Sequence, residues 1–249
     1  MQPYKSPPLN EVVAEFHLNK EWDLTIPGLV FEQLKDRFPI VRMPASGTIT
    51  IPAPPQFKGL GPDLVIPNPI LRTDRVLFFS HDESQLVQVA PSLLVVNKVK
   101  SYTQWEDFLP LVMEVYRKYC LAVPNCRVVR LGLQYVNRID IPAENGRAEI
   151  ENYLEFRPLM GPRLPQDHGL FSVNAQYLFN RTSVTVQLGG TDFPEPDVFR
   201  SILEFRALGL DEAEMTESGI KSWMENTHDI ISTLFEGCIT DKTRELFRR

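Results

Sequence analysis

Arg130, Gln134 and Arg138 stand on alternate positions of one run, Val128–Ile141, whose other positions include Leu131, Leu133, Tyr135 and Ile139. An extended strand sends successive side chains to opposite faces. This run therefore sets two guanidinium groups, an amide and Asp140 on one side and a hydrophobic row on the other. Arginine's planar fork pairs bidentately with carboxylate or phosphate, which makes the row a candidate recognition surface. Neighbouring strands would extend it with Ser172, Asn174 and Gln176, with Thr185 and Gln187, and with Glu204 and Arg206. The competing reading is the solvated side of an antiparallel sheet whose charges pair across strands.

Asp167-His168 in the loop Gly161–Gly169, with Arg163 close by, has the residue types of a general base and its orienting partners. No GxSxG serine or activated cysteine accompanies it, and an exposed polar loop explains it equally well. His228, with Glu225 and Asp229 nearby, brings metal-ligating types together at helical spacing. The other histidines, His17, His81 and His168, are scattered, and no HExxH occurs, so a helix-capping or interhelical hydrogen bond is the expected role. Cys120 reads as a small buried hydrophobe, and Cys126 has only Arg127 to lower its thiol pKa. Gly189-Gly190 reads as a turn, because Thr191-Asp192-Phe193-Pro194 does not open a helix that would cradle phosphate. These constellations call for no cofactor and no metal.

The elements that must position these side chains are legible from periodicity. Pro7-Pro8 delays the first element, a half-buried strand over Glu11–Asn19. A helix is expected over Gly28–Phe38, stopped by Pro39. Residues 44–70 hold seven prolines and three glycines and read as a long ordered loop or flap with a short strand at Thr48–Ile51. Arg75–Ser80 and Gln85–Val99 form a hairpin, with Pro91 interrupting the second arm as a bulge or as a break into two short strands. Trp105–Val123 carries an apolar stripe at helical spacing, with Thr103 and Glu106 as a capping box and Pro124 as the stop. After Val128–Ile141 come a short helix near Ile150–Phe156 and a second irregular loop over 158–169, with three prolines and two glycines. Strands at Leu170–Asn180, Thr182–Leu188 and Arg200–Leu208 follow. The last long helix is capped by Ser218, carries Ile220, Trp223, Met224, Thr227, Ile231 and Phe235, and meets a break at Gly237. Thr240–Phe247 is a further helical segment. Trp105 and Trp223 read as anchors pinning helix to sheet.

This order runs twice. The expected fold is α+β: two similar strand–helix–strands–long-helix halves, 9–123 and 127–249, forming one compact domain over 1–249. Together they would make a curved, mainly antiparallel sheet with long helices packed on one face.

The chain has 249 residues, 43% of them hydrophobic, which supports a full core. A net charge of −6 and a pI near 5.3 weigh against a mainly electrostatic nucleic-acid binder. Three cysteines without CxxC spacing argue against a disulfide framework or a structural zinc site. No apolar signal region opens the chain and no apolar run is long enough for a membrane span, so a cytoplasmic protein is expected.

Several stretches together resemble a sporadically distributed, functionally uncharacterised prokaryotic family of proteins about this long. They are Pro7-Pro8-Leu9-Asn10-Glu11-Val12-Val13, Val87-Gln88-Val89, Tyr102-Thr103-Gln104-Trp105-Glu106 and Arg130-Leu131-Gly132-Leu133-Gln134-Tyr135-Val136-Asn137-Arg138-Ile139, then Trp223 with His228, Phe235 and Ile239-Thr240. Gln134 departs from the basic residue the family pattern expects. The resemblance implies no activity of its own; the family's patchy distribution looks like that of mobile-element, toxin–antitoxin or phage-defence accessory genes. The expected function is a non-catalytic binding or accessory protein that engages a partner protein through Arg130, Gln134, Arg138 and Arg206, with Arg163 and His168 from the loop. The rivals are an enzyme or small-ligand receptor with a pocket between sheet and helices, using His168 or His228, and a nucleic-acid binder using the arginine face.

Overall fold

The computed structural model describes residues 4–19, 23–43, 75–99, 104–144, 147–164, 171–195, 197–209 and 215–248. The proline-rich stretch 44–70, the Thr103 cap and the Asp167-His168 pair lie outside the described residues.

Among the described residues, nine strands form one antiparallel sheet. They are β1 (Leu9–Leu18), β2 (Ile40–Arg42), β3 (Val76–Phe79), β4 (Gln85–Ala90), β5 (Leu93–Val99), β6 (Val128–Pro142), β7 (Phe171–Phe179), β8 (Thr182–Glu195) and β9 (Val198–Gly209). The spatial order is β2-β3-β4-β5-β1-β6-β9-β8-β7. Four helices accompany them among the described residues: α1 (Ile26–Leu34), α2 (Trp105–Ala122), α3 (Glu217–Cys238) and α4 (Asp241–Arg248).

β1 and β6 lie side by side at the middle, with Ala14 opposite Leu133 and Phe16 opposite Leu131. Alternation then fixes two rows. Val12, Ala14 and Phe16 align with Leu94 and Val96 on one flank and with Leu131, Leu133 and Tyr135 on the other. The row continues through Phe205 and Ala207 to Val184 and Val186, and all of these side chains are buried. This row carries the contacts to the long helices. Phe16 stacks on Tyr116 of α2 at 5.1 Å, and Phe205 meets Phe235 of α3 at 6.2 Å, edge to face. Trp223 donates its indole N–H to Thr182 Oγ1 at 3.0 Å, so this anchor fixes α3 to β8 by a polar tip as well as an apolar body.

The segment 85–99 is two short strands, one of the two outcomes expected at Pro91, because Pro91-Ser92 turns the chain, with Ser92 at a φ of 53°. Several other elements depart from expectation, each for a local reason. Helix α1 closes at Leu34, four residues before Phe38. The helix expected near Ile150–Phe156 is one 3-10 turn, Ile150–Asn152, after which Leu154 bridges to Ile239. Gly189-Gly190 lies inside β8, which runs on to Glu195. A Cβ at Gly190 would come within 2.6 Å of the Phe199 ring and 2.7 Å of Phe171, so close packing explains this glycine. Gly237 does not break α3, which continues to Cys238. Gln104, extended and without a side-chain cap bond, precedes α2.

Thr216, two residues before the expected Ser218, caps α3: its Oγ1 accepts from Gly219 N at 3.1 Å. Thr216→Ala should lower stability to denaturant by about 1 kcal/mol, while Ser218→Ala costs clearly less. Equal losses would show that the cap is misassigned.

Candidate functional site

The row opposite the apolar one gathers four of the expected residues. Arg130, Gln134 and Arg138 fall on alternate positions of β6, and Arg206 of β9 sits directly across from Gln134. Polar partners recur across this face. Gln134 donates to Glu204 at 2.7 Å, and Arg200 grips Asp140 with two bonds, at 2.9 and 3.1 Å. That fork is the main reason the Asp140 carboxyl is held below its ordinary value. Farther along, Arg75 donates to Gln88, Gln88 to Asn97, and Asn97 to Glu11, a relay of 2.7–2.9 Å bonds across β4, β5 and β1.

Two arginines engage their carboxylates much less closely. Arg206 reaches Glu15 only at 3.8 Å and Arg138 reaches Asp140 only at 3.6 Å, with side chains 59% and 50% exposed. Both distances exceed a hydrogen bond, so each fork keeps donors for another acceptor. Gly132 makes room for Glu15, its direct partner on β1. A Cβ there would stand 2.9 Å from Glu15 Oε2. Glu15, mostly buried, also has His17 Nε2 at 3.5 Å. The imidazole is the main cause that lowers its pKa, Arg206 adds to it, and burial opposes both. Glu15, His17 and Gly132 were missed as site residues, although their alternation on β1 and β6 is the same signal that singled out the arginines. Arg163 stands exposed in the 161–164 turn, with no described contact to these residues.

A second feature lies between α2 and α3. A cleft of about 860 Å³ is lined by Trp105, Leu109, Pro110 and Met113 of α2 and by Lys221, Glu225 and His228 of α3, among others. His228 is one of its lining residues. The imidazole lies flat on the Trp105 indole, with centroids 4.3 Å apart and planes 1° apart, and its Nδ1 is 2.7 Å from the Tyr135 hydroxyl. Tyr135 comes from the apolar row of β6, so this bond runs from helix to sheet; the expectation of a capping or interhelical bond is corrected. Nδ1 is engaged, and Nε2 has no described partner and belongs to a ring that lines the cleft. Pro110 lacks an N–H, so the Glu106 carbonyl receives no helical bond from that position.

Burial lowers the His228 pKa from its ordinary 6.5, against a weaker upward pull from Asp229 and Glu106. The thiols go the other way. Burial raises Cys120 and pushes Cys238 up to about 11, which leaves neither activated as a nucleophile.

Comparison with known proteins finds no family model that matches this chain and no similar curated protein.

The folded chain protonates His228 less readily than the unfolded chain does. The group is therefore neutral to stability above pH 6.5 and destabilises the fold as pH falls below it. In His228→Asn, which keeps an acceptor near the Tyr135 hydroxyl, the fall in thermal midpoint between pH 7 and pH 5 should be shallower than in the wild type. Parallel slopes in the two proteins would count against this assignment. Tyr135→Phe should cost about 1 kcal/mol in denaturant unfolding at neutral pH, where the imidazole loses its partner.

Proposed function

We propose that this chain is a non-catalytic binding protein that engages an acidic segment of a partner protein through the polar face of its sheet. The observation that carries this reading is the looseness of Arg138 and Arg206. Both are half-exposed, both lie beyond hydrogen-bond distance of the carboxylates they face, and both sit on strands inside the sheet. A partner carboxylate can take up these forks bidentately without first breaking a strong internal pair. The tight Arg200–Asp140 pair and the Gln134–Glu204 bond hold the surrounding surface in shape. The net charge of −6 favours a protein partner over nucleic acid. The resemblance noted in the sequence extends the reading to an accessory subunit of a toxin–antitoxin or phage-defence system.

The platform is read as two similar halves joined at the β1–β6 pair. From β1 the order outward is β5, β4, β3, β2; from β6 it is β9, β8, β7. A long helix follows each set, and the contacts of Tyr116 and Phe235 support placing both helices against the same sheet face, opposite the arginines. The second half has only a 3-10 turn where the first has α1.

A second reading rests on the cleft, whose volume and His228 Nε2 suit a small ligand with one polar group directed at the imidazole.

The test is purification of the tagged chain from its native host with neighbouring genes intact, beside Arg138→Ala/Arg206→Ala. The wild type should retain a stoichiometric protein, and the double variant should lose about tenfold or more of it while keeping its thermal midpoint. Full retention by the double variant would overturn the sheet-face reading. Isolation with a bound small molecule alone would favour the cleft, and His228→Ala should then release that molecule.

A further inference from the structure

The two outer strands of the sheet present different edges. β2 is three residues long, and its Arg42 is held by Glu83 at 2.9 Å and lies over the Phe79 ring at 4.6 Å. A short, charged edge resists the addition of another strand. β7 has nine residues, Phe171-Ser172-Val173-Asn174-Ala175-Gln176-Tyr177-Leu178-Phe179, with no charge and no proline. Among the described residues it pairs with β8 alone, and Tyr177 and Leu178 are 41% and 69% exposed. Nothing in its composition blunts this edge.

The hairpin fixes which backbone groups point outward. Asn180, at a φ of 50°, and Arg181 make a two-residue turn, and Phe179 pairs with Thr182. Residues flanking such a turn exchange both ladder bonds. Odd positions of β7 therefore bond to β8, and Ser172, Asn174, Gln176 and Leu178 turn their N–H and C=O groups to the open edge.

We infer that β7 pairs antiparallel with β7 of a second copy of this chain, about a two-fold axis at Ala175, to give a continuous sheet through a homodimer. The strand matches itself when reversed. Phe171 falls opposite the partner copy's position 179, another phenylalanine. Val173 falls opposite position 177, a tyrosine, and Asn174 opposite position 176, a glutamine. Aromatic pairs, a β-branched–aromatic pair and an amide pair are favourable cross-strand neighbours. The outward-bonding positions also meet one another in this register, so 174 with 176 and 172 with 178 form hydrogen-bonded pairs. Ala175 then meets its own copy in a non-hydrogen-bonded pair, where side chains approach most closely and a small residue fits. An uncharged strand brings no like charges together across the axis, and self-complementarity is what a two-fold interface requires. A second copy is therefore a better match than a foreign strand. This inference is independent of the arginine reading.

Analytical ultracentrifugation over a concentration series tests it. The wild type should sediment at twice the 28.6 kDa chain mass. Asn174→Lys/Gln176→Lys sets lysine against lysine across the axis, and Asn174→Glu/Gln176→Glu sets glutamate against glutamate. Each should sediment as a single chain with an unchanged circular dichroism spectrum, and an equimolar mixture should return to twice the chain mass. A wild type that stays at the single-chain mass would overturn the inference, as would a lysine variant that remains dimeric. A mixture that fails to reassociate would overturn the register. Any of these outcomes leaves the binding reading of Arg138 and Arg206 standing.

Discussion

The pairing of β1 with β6 is the constraint on which the rest of the molecule depends. These strands are separated by more than a hundred residues, yet each supplies the inner edge for the strands that follow it. Once Phe16 lies opposite Leu131, alternation decides the fate of every neighbouring side chain. A slip by one residue would send Tyr135 and Phe205 to the polar side and carry Arg206 into the core. The buried aromatic contacts to Tyr116 and Phe235 hold that register against slippage.

Two kinds of polar arrangement follow from this one choice. On the arginine side, partners meet within or between adjacent strands, and the exposed Arg138 and Arg206 pairs are looser than the two-bond Arg200–Asp140 fork. On the opposite side Tyr135 reaches out of an apolar row and meets His228 of α3, as Thr182 of β8 meets Trp223. There burial lowers the imidazole's pKa, while the bond and the stack on Trp105 fix the ring's orientation.

The features that could be read from the sequence are those written in local periodicity. The alternation of Val128–Ile141 placed Arg130, Gln134 and Arg138 together, and the helical stripe from Trp105 placed α2. Contacts that join distant segments left no local trace. Tyr135 and His228 are 93 residues apart, and nothing near either one announces the other. Gly132 reads as an ordinary strand residue until Glu15 is seen to lie over it. Gly189-Gly190 looked like a turn because glycine serves turns and crowded strands alike, and only the rings of Phe171 and Phe199 distinguish the two. Ser218 and Thr216 are equally good caps by composition, and the choice rests on where the first helical turn closes.

The stacking of His228 on Trp105 also gives the molecule an optical property. An imidazolium ion held against an indole face quenches its emission by accepting an excited electron, and a neutral imidazole does so far less. Trp105 emission should therefore follow the charge on His228, in contrast to that of Trp223, whose indole N–H is committed to Thr182. A molecule that enters the cleft and changes that proton, or slides the two rings apart, would then register as light without a label.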